Sequence, residues 1–127
     1  MARVLVIDDD EEIRTLVAAM LERAGHKPEL ASDGKEGLRK FGERKPLLVL
    51  TDINMPGLDG HDVISALRVL HADVPIIAIS GGRTDFDKDE LLLQASRLGA
   101  SEVIMKPFEF EQLAGAVARA LGLWRGG

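Results

Sequence analysis

The sequence contains no cysteine, so disulfide scaffolds and thiolate-bound metals are excluded. It has no long hydrophobic run. Val4 to Ile7 is too short for a signal peptide or a membrane span, and acids follow it at once. There is no basic surplus either. Acids outnumber bases 21 to 16, the net charge is −5, and no Lys/Arg cluster reverses that balance locally. This argues against direct DNA binding. Repeats, low-complexity tracts and linker-like stretches are also missing. The expectation is a soluble, cytoplasmic protein with no membrane insertion.

What is present is the pattern of a globular domain. The chain has 127 residues, 46% hydrophobic and 29% charged, enough for one domain with a sizeable core. Short apolar runs alternate with helical spacing. Arg3 to Asp8 predicts a buried strand. Ile13, Leu16, Val17, Met20, Leu21 and Ala24 predict one face of a helix that stops at Gly25. Lys27 to Ala31 predicts a more polar edge strand. Asp33-Gly34 predicts a turn, and Lys35 to Arg44 a helix with Leu38 and Phe41 inward. Leu47 to Asp52 predicts a central strand buried on both faces. Pro56, Gly57, Asp59 and Gly60 then enforce a turn.

The remainder repeats this alternation. His61 to Leu70 predicts a helix burying Ile64, Leu67 and Leu70. Ile76 to Ser80 predicts a strand, Leu91 to Leu98 a helix, Glu102 to Met105 a fifth strand, and Glu109 to Leu121 a last helix on Leu113, Val117 and Leu121. Five βα units argue for an α/β fold, a parallel sheet with helices on both faces and right-handed crossovers. Residues 1–122 are expected to form one domain and 123–127 a tail carrying Trp124, with no room for an output domain.

The chemistry lies at the strand ends. Asp8, Asp9 and Asp10 follow the first strand, Asp52 ends the third, Ser80 the fourth, and Lys106 follows the fifth. A parallel sheet brings these ends to one edge, where such sheets bind ligands. Singly, each residue has an ordinary explanation: a helix N-cap for Asp10, a solvated side chain for Lys106, a turn for Ser80. The combination does not. Two like charges about 4 Å apart repel by roughly 4 kcal/mol at an effective dielectric near 20. Asp8, Asp9 and Asp52 together would strain the margin of a small domain. A divalent cation with Lys106 beside it removes the conflict, and all-oxygen donors favour Mg²⁺. Such a set suits phosphoryl transfer, with a carboxylate nucleophile and two cationic groups stabilising the transferred charge. Asp52 is the candidate nucleophile.

The sequence resembles a receiver domain of the two-component response regulators. The resemblance rests on VLVIDDDEEIR from Val4, ASDGKEGL from Ala31, TDINMPGLDG from Thr51, PIIAIS from Pro75 and KPF from Lys106. It implies a flavodoxin-like, doubly wound, five-stranded sheet of order 2-1-3-4-5 with five helices. It further implies Asp52 as phosphoacceptor, and Mg²⁺ held by Asp9 and Asp52, by the main-chain carbonyl of Asn54 and, through water, by Asp8. Ser80 would donate to a phosphoryl oxygen. Lys106, before a cis proline bond, would pair with the phosphoryl group and Asp52. The implied donor is a phosphohistidine on a sensor histidine kinase or phosphotransfer protein. The implied output is a protein target bound through the Leu91–Leu98 helix, the fifth strand and the last helix. No enzyme activity is expected beyond self-phosphorylation and autodephosphorylation.

Two positions depart from the family pattern. Many relatives carry an aromatic residue where Val103 stands. The loop Gly81 to Asp87 is longer than usual, and its paired glycines suggest altered access to the phosphoryl group. His26, His61 and His71 are expected at the surface, outside any zinc site. Two other functions fit part of the pattern. One is a haloacid-dehalogenase-like phosphatase with Asp8 as nucleophile and Asp10 as acid/base, which leaves the Asp52 loop unused. The other is a binding module that works without phosphate.

Overall fold

The computed structural model describes residues 2–53, 60–70 (backbone alone at 60 and 61), 73–80, 93, 97 and 99–122. The apolar runs form a five-stranded sheet: β1 (Arg3–Ile7), β2 (Lys27–Ala31), β3 (Leu48–Asp52), β4 (Ile76–Ser80) and β5 (Glu102–Met105). Its order is β2-β1-β3-β4-β5, and all four pairings are parallel. The described helices are α1 (Glu11–Arg23), α2 (Gly34–Glu43), α3 (Gly60–Leu70) and α4 (Phe110–Ala120). Leu93 and Arg97 are also helical. The rest of the helix expected over Leu91 to Leu98 lies outside the described residues, as do Asn54, the Gly81 to Asp87 loop, His71 and Trp124.

The twofold alternation of β-structure sorts the core into two layers. Val4, Val6, Leu48, Leu50, Ile77, Ile79 and Ile104 meet Val17 and Leu21 of α1 and Leu113, Ala116 and Val117 of α4. Leu5, Ile7, Val49, Ile76 and Ala78 meet Phe41 of α2 and Val63, Ile64 and Leu67 of α3. The central strands β3 and β4 are buried at every residue, as continuous apolar runs predict.

Local chemistry fixes the helix ends. Asp10 caps α1 by accepting the Glu12 amide at 2.9 Å, and Asp33 caps α2 by accepting the Glu36 amide at 2.8 Å. Asp33-Gly34 is therefore a helix start, not only a turn; both uses favour the same residues. At the other end of α1, Gly25 adopts φ of 89° while the His26 amide returns to the Leu21 carbonyl at 2.8 Å. That left-handed closure favours glycine.

Three side chains expected inside are outside. Leu47 is 60% exposed, Leu16 45% and Leu70 60%. Leu47 precedes the first strand residue, and Leu70 is the last residue of α3, so both lie past the mutually covered part of the layers. Leu16 sits at the margin of the α1 stripe.

Gly37 shows how closely the α2 layer approaches the sheet. A methyl group there would lie 2.7 Å from Ile7 Cγ1 and collide with Ile7 Cδ1, and Ile7 is itself buried. Gly37→Ala is expected to lower stability by about 1–2 kcal/mol despite its better helix propensity. At Gly42 in the same helix a methyl meets nothing within 4 Å. Gly42→Ala is expected to raise stability by about 0.5–1 kcal/mol. Urea unfolding of the two variants tests both signs together.

Candidate functional site

The even-numbered alternation that places Val4 and Val6 inward continues to Asp8. The same step carries Leu48 and Leu50 on to Asp52, and Ile104 on to Lys106. The register aligns these ends: Ile7 lies opposite Thr51, Asp52 opposite Ile79 and Ser80 opposite Met105. The result is a charged cluster at the carboxyl edge of the sheet. One carboxylate oxygen from each of Asp8, Asp9 and Asp52 falls within 4.8 Å of the others, and this is the one such acidic group among the described residues.

Lys106 reaches into the cluster. Its Nζ donates to Asp52 Oδ2 at 3.1 Å and to Asp8 Oδ2 at 3.2 Å. The peptide bond to Pro107 is cis. Asp8 is fully buried and Asp52 nearly so, at 0% and 4% exposure, whereas Asp9 is exposed. Ser80, 8% exposed, ends β4, and its carbonyl accepts the Lys106 amide at 2.9 Å.

Every polar group of Asp8 is engaged. Its amide donates to the Ala31 carbonyl at 3.1 Å, and Oδ1 accepts the Asp10 amide at 2.9 Å. Oδ2 accepts Lys106, and the main-chain carbonyl accepts Arg14 Nη1 at 2.7 Å. Burial nonetheless raises the Asp8 carboxyl above its ordinary value; the Asp10 amide opposes this and the charge on Asp52 adds to it. Burial also works against the charge on Lys106, but Asp52 and then Asp8 outweigh it and hold the ammonium above its usual range.

A group raised in the folded state favours folding below its unfolded value and loses that contribution as pH climbs through the folded one. Ionised Asp8 is therefore a burden on the metal-free fold above the ordinary carboxylate range. Asp8→Asn is expected to raise metal-free stability at neutral pH, because it removes one of three converging negative charges while Lys106 keeps Asp52 as its partner. The gain should shrink as pH falls through the raised value of the native carboxyl and be gone below the ordinary carboxylate range. Thermal melts with a chelator across that range check it.

The donor set suits a hard cation. Three carboxylates facing one ammonium leave two net negative charges, the charge complement of one divalent ion, and every donor is oxygen. An apolar groove of about 320 Å³ is lined by Ile13, Leu16, Lys106, Pro107 and Phe108, and Lys106 is the residue it shares with the cluster. The exposure of Leu16 belongs to this groove.

The structure thus brings Asp8, Asp9, Asp52 and Lys106 together and sets Ser80 at the neighbouring strand end. Asn54 lies outside the described residues. Asp10 is a helix cap, as its position after the strand suggests. Two features escaped the pattern. Lys106 is shared between Asp8 and Asp52, not held by Asp52 alone, and Arg14 binds the Asp8 carbonyl. Sequence offers no signal for the first. For the second, the only hint is an arginine one turn into the helix that follows the acids. Val103 is half-buried against the layer that holds Ala78 and Val63. His26 is partly buried and accepts the Ala2 amide at Nδ1, 3.3 Å away, with no part in the acidic cluster. No described helix is long and apolar enough to cross a membrane.

Comparison with known proteins gives one consistent answer. Residues 4–118 match the response regulator receiver domain model. The chain is 39% identical over 123 residues to the transcriptional regulatory protein PrrA of Mycobacterium tuberculosis, covering 97% of this chain and 50% of PrrA. It therefore spans about half the length of curated relatives such as this one. Among solved structures, the receiver domain of NtrX from Brucella abortus superposes with a TM-score of 0.85 at 35% identity, covering 95% of this chain and 99% of that one. The chemotaxis protein CheY4 of Vibrio cholerae gives 0.84 at 30%, covering 94% and 98%.

Proposed function

The chain belongs to the response regulator receiver domain family, a family of signalling modules, and from that membership we propose that Asp52 accepts a phosphoryl group from a phosphohistidine. The donor is a sensor histidine kinase or a histidine phosphotransfer protein, and the acquired charge switches a protein-binding face. The observation that carries this reading is the pairing of Lys106 with both buried acids, Asp8 and Asp52, at the sheet edge.

In the transfer, an Asp52 carboxylate oxygen forms a bond to phosphorus as the bond from phosphorus to the histidine nitrogen breaks. The leaving imidazole keeps the electron pair and takes a proton from water. Asp9 and Asp52 by side chain, Asn54 by its main-chain carbonyl and Asp8 through water would hold Mg²⁺. When bound, that ion neutralises charge on the transferring oxygens. Lys106 already lies within hydrogen-bonding distance of Asp52 and turns to a phosphoryl oxygen without leaving the edge. Ser80 donates its hydroxyl to a second phosphoryl oxygen. The apolar groove beside Lys106 offers the donor protein a landing surface next to the acceptor. Slow attack by water on the acyl phosphate resets the switch.

Asp8 as nucleophile is the weaker reading. Both of its carboxylate oxygens are engaged and its side chain is fully buried. The output surface is the one carrying Leu93 and Arg97, both exposed, together with β5 and α4. A crystal grown with magnesium and beryllofluoride tests the assignment. The fluoroberyllate is expected on an Asp52 oxygen, with Lys106 and Ser80 turned toward its fluorines; density on Asp8 would assign the chemistry to the other acid.

A further inference from the structure

We infer that Arg14 is a positioning residue for the cation site: its guanidinium fixes the Asp8–Asp9 peptide and so sets the affinity of the acidic cluster for Mg²⁺. This rests on the reading of Asp8, Asp9 and Asp52 as the residues that hold the cation.

Asp8 leaves the sheet with its amide still paired to β2, through Ala31, and its side chain tied to Asp10 and Lys106. Those contacts fix the residue up to its α-carbon. The plane of the next peptide, which decides where Asp9 projects, is fixed by the Asp8 carbonyl. That carbonyl lies beyond the last rung of the ladder between β1 and β2, and Arg14 Nη1 donates to it at 2.7 Å. Arg14 is itself anchored, because its amide makes the first helical bond of α1, to Asp10 at 2.9 Å. Helix start, acidic turn and strand end thus form one closed loop of hydrogen bonds. Asp9 is the exposed member of the cluster and has the most freedom to lose.

Two effects of Arg14 oppose each other. Holding Asp9 in place favours cation binding, because less ordering remains to be done when the ion arrives. A positive charge near the cluster disfavours it by Coulomb repulsion. The bond is partly buried, charge-assisted and short, and orienting partners of metal ligands typically change affinity by about 10–100-fold. Repulsion between the guanidinium and an incoming cation is screened by water and salt on the side of the cluster where Asp9 is exposed. The positional effect therefore dominates.

The test is a titration of the full chain with Mg²⁺ alone, followed by amide NMR, for wild type, Arg14→Lys and Arg14→Gln. The lysine variant keeps the charge but loses the planar fork; the glutamine variant loses the charge. Both are expected to bind Mg²⁺ about tenfold more weakly, with the largest amide shift changes at Asp9 and Asp10. Thermal melts of the metal-free proteins check that both variants fold. An unchanged Mg²⁺ affinity in Arg14→Lys, or tighter binding in Arg14→Gln, overturns the inference while leaving the cation site standing. Absence of saturable Mg²⁺ shifts at Asp8, Asp9 and Asp52 in wild type overturns both.

Discussion

Incubation with acetyl phosphate and Mg²⁺ is expected to add one phosphoryl group to the chain, and Asp52→Asn to abolish it. Asp52 is a poor candidate on exposure alone, being 4% exposed. Its position compensates. It ends a strand buried at every residue, so the carboxylate emerges at the one edge where the sheet opens, and Lys106 marks the direction of approach. The carboxylate forms a bond to phosphorus as acetate departs with the electrons of the broken phosphorus–oxygen bond. An amide oxygen is a far weaker nucleophile, so the rate is expected to fall by more than about a thousandfold. Chelating the metal should suppress labelling of the wild type as well. Asp8→Asn alters one residue of the cation site but keeps the nucleophile, and should slow labelling without eliminating it. Intact-mass measurement of the three proteins decides. Labelling that survives in Asp52→Asn and vanishes in Asp8→Asn would transfer the chemistry to Asp8.

Lys106→Met is expected to be the most destabilising substitution at the site. It removes the ammonium from two acids whose side chains are 0% and 6% exposed, while the methionine preserves most of the packing. Breaking a buried pair from one side costs about 3–5 kcal/mol, and the partial exposure of Lys106 places this case near 3. For a chain of this size that lowers the melting temperature by about 10 °C in the absence of metal. Asp8, already raised by burial, would be raised further without the ammonium opposing it. The stability deficit should therefore be largest at neutral pH and shrink as pH falls toward the ordinary carboxylate range. Mg²⁺ should restore part of it, by about 2.7 kcal/mol at a hundredfold excess over its dissociation constant. Melts of wild type and variant, with chelator and with Mg²⁺ across pH, measure all three effects. A variant insensitive to both pH and metal would show that the pairing carries little energy.

The strand-end cluster was legible because it needs little beyond strand identity and parallel alignment. Once Val4 to Ile7, Leu48 to Leu50 and Ile76 to Ile79 are recognised as strands of one parallel sheet, Asp8, Asp52 and Ser80 must share an edge. The order β2-β1-β3-β4-β5 is less determined by pattern. It came from family resemblance, and the structure bears it out. Burial at the margins was not legible. A period of 3.6 says which side of a helix faces inward, but not where the covering layer stops, and so Leu16, Leu47 and Leu70 were misplaced. Main-chain partners were not legible either. Arg14 finds the Asp8 carbonyl only because α1 begins at Glu11 and lies at a particular angle over the sheet, and residue spacing does not encode that angle. The Lys106 bond to Asp8 escaped for the same reason.

Lys106 stands 98 residues after Asp8 and 54 after Asp52, its two partners. During synthesis the acids emerge first and their neutralising ammonium almost last. Any nascent chain or truncated fragment ending before Lys106 must assemble the inner strands around unanswered carboxylates. Such fragments, which also lack the core residues Leu113, Ala116 and Val117, are expected to stay unfolded at neutral pH.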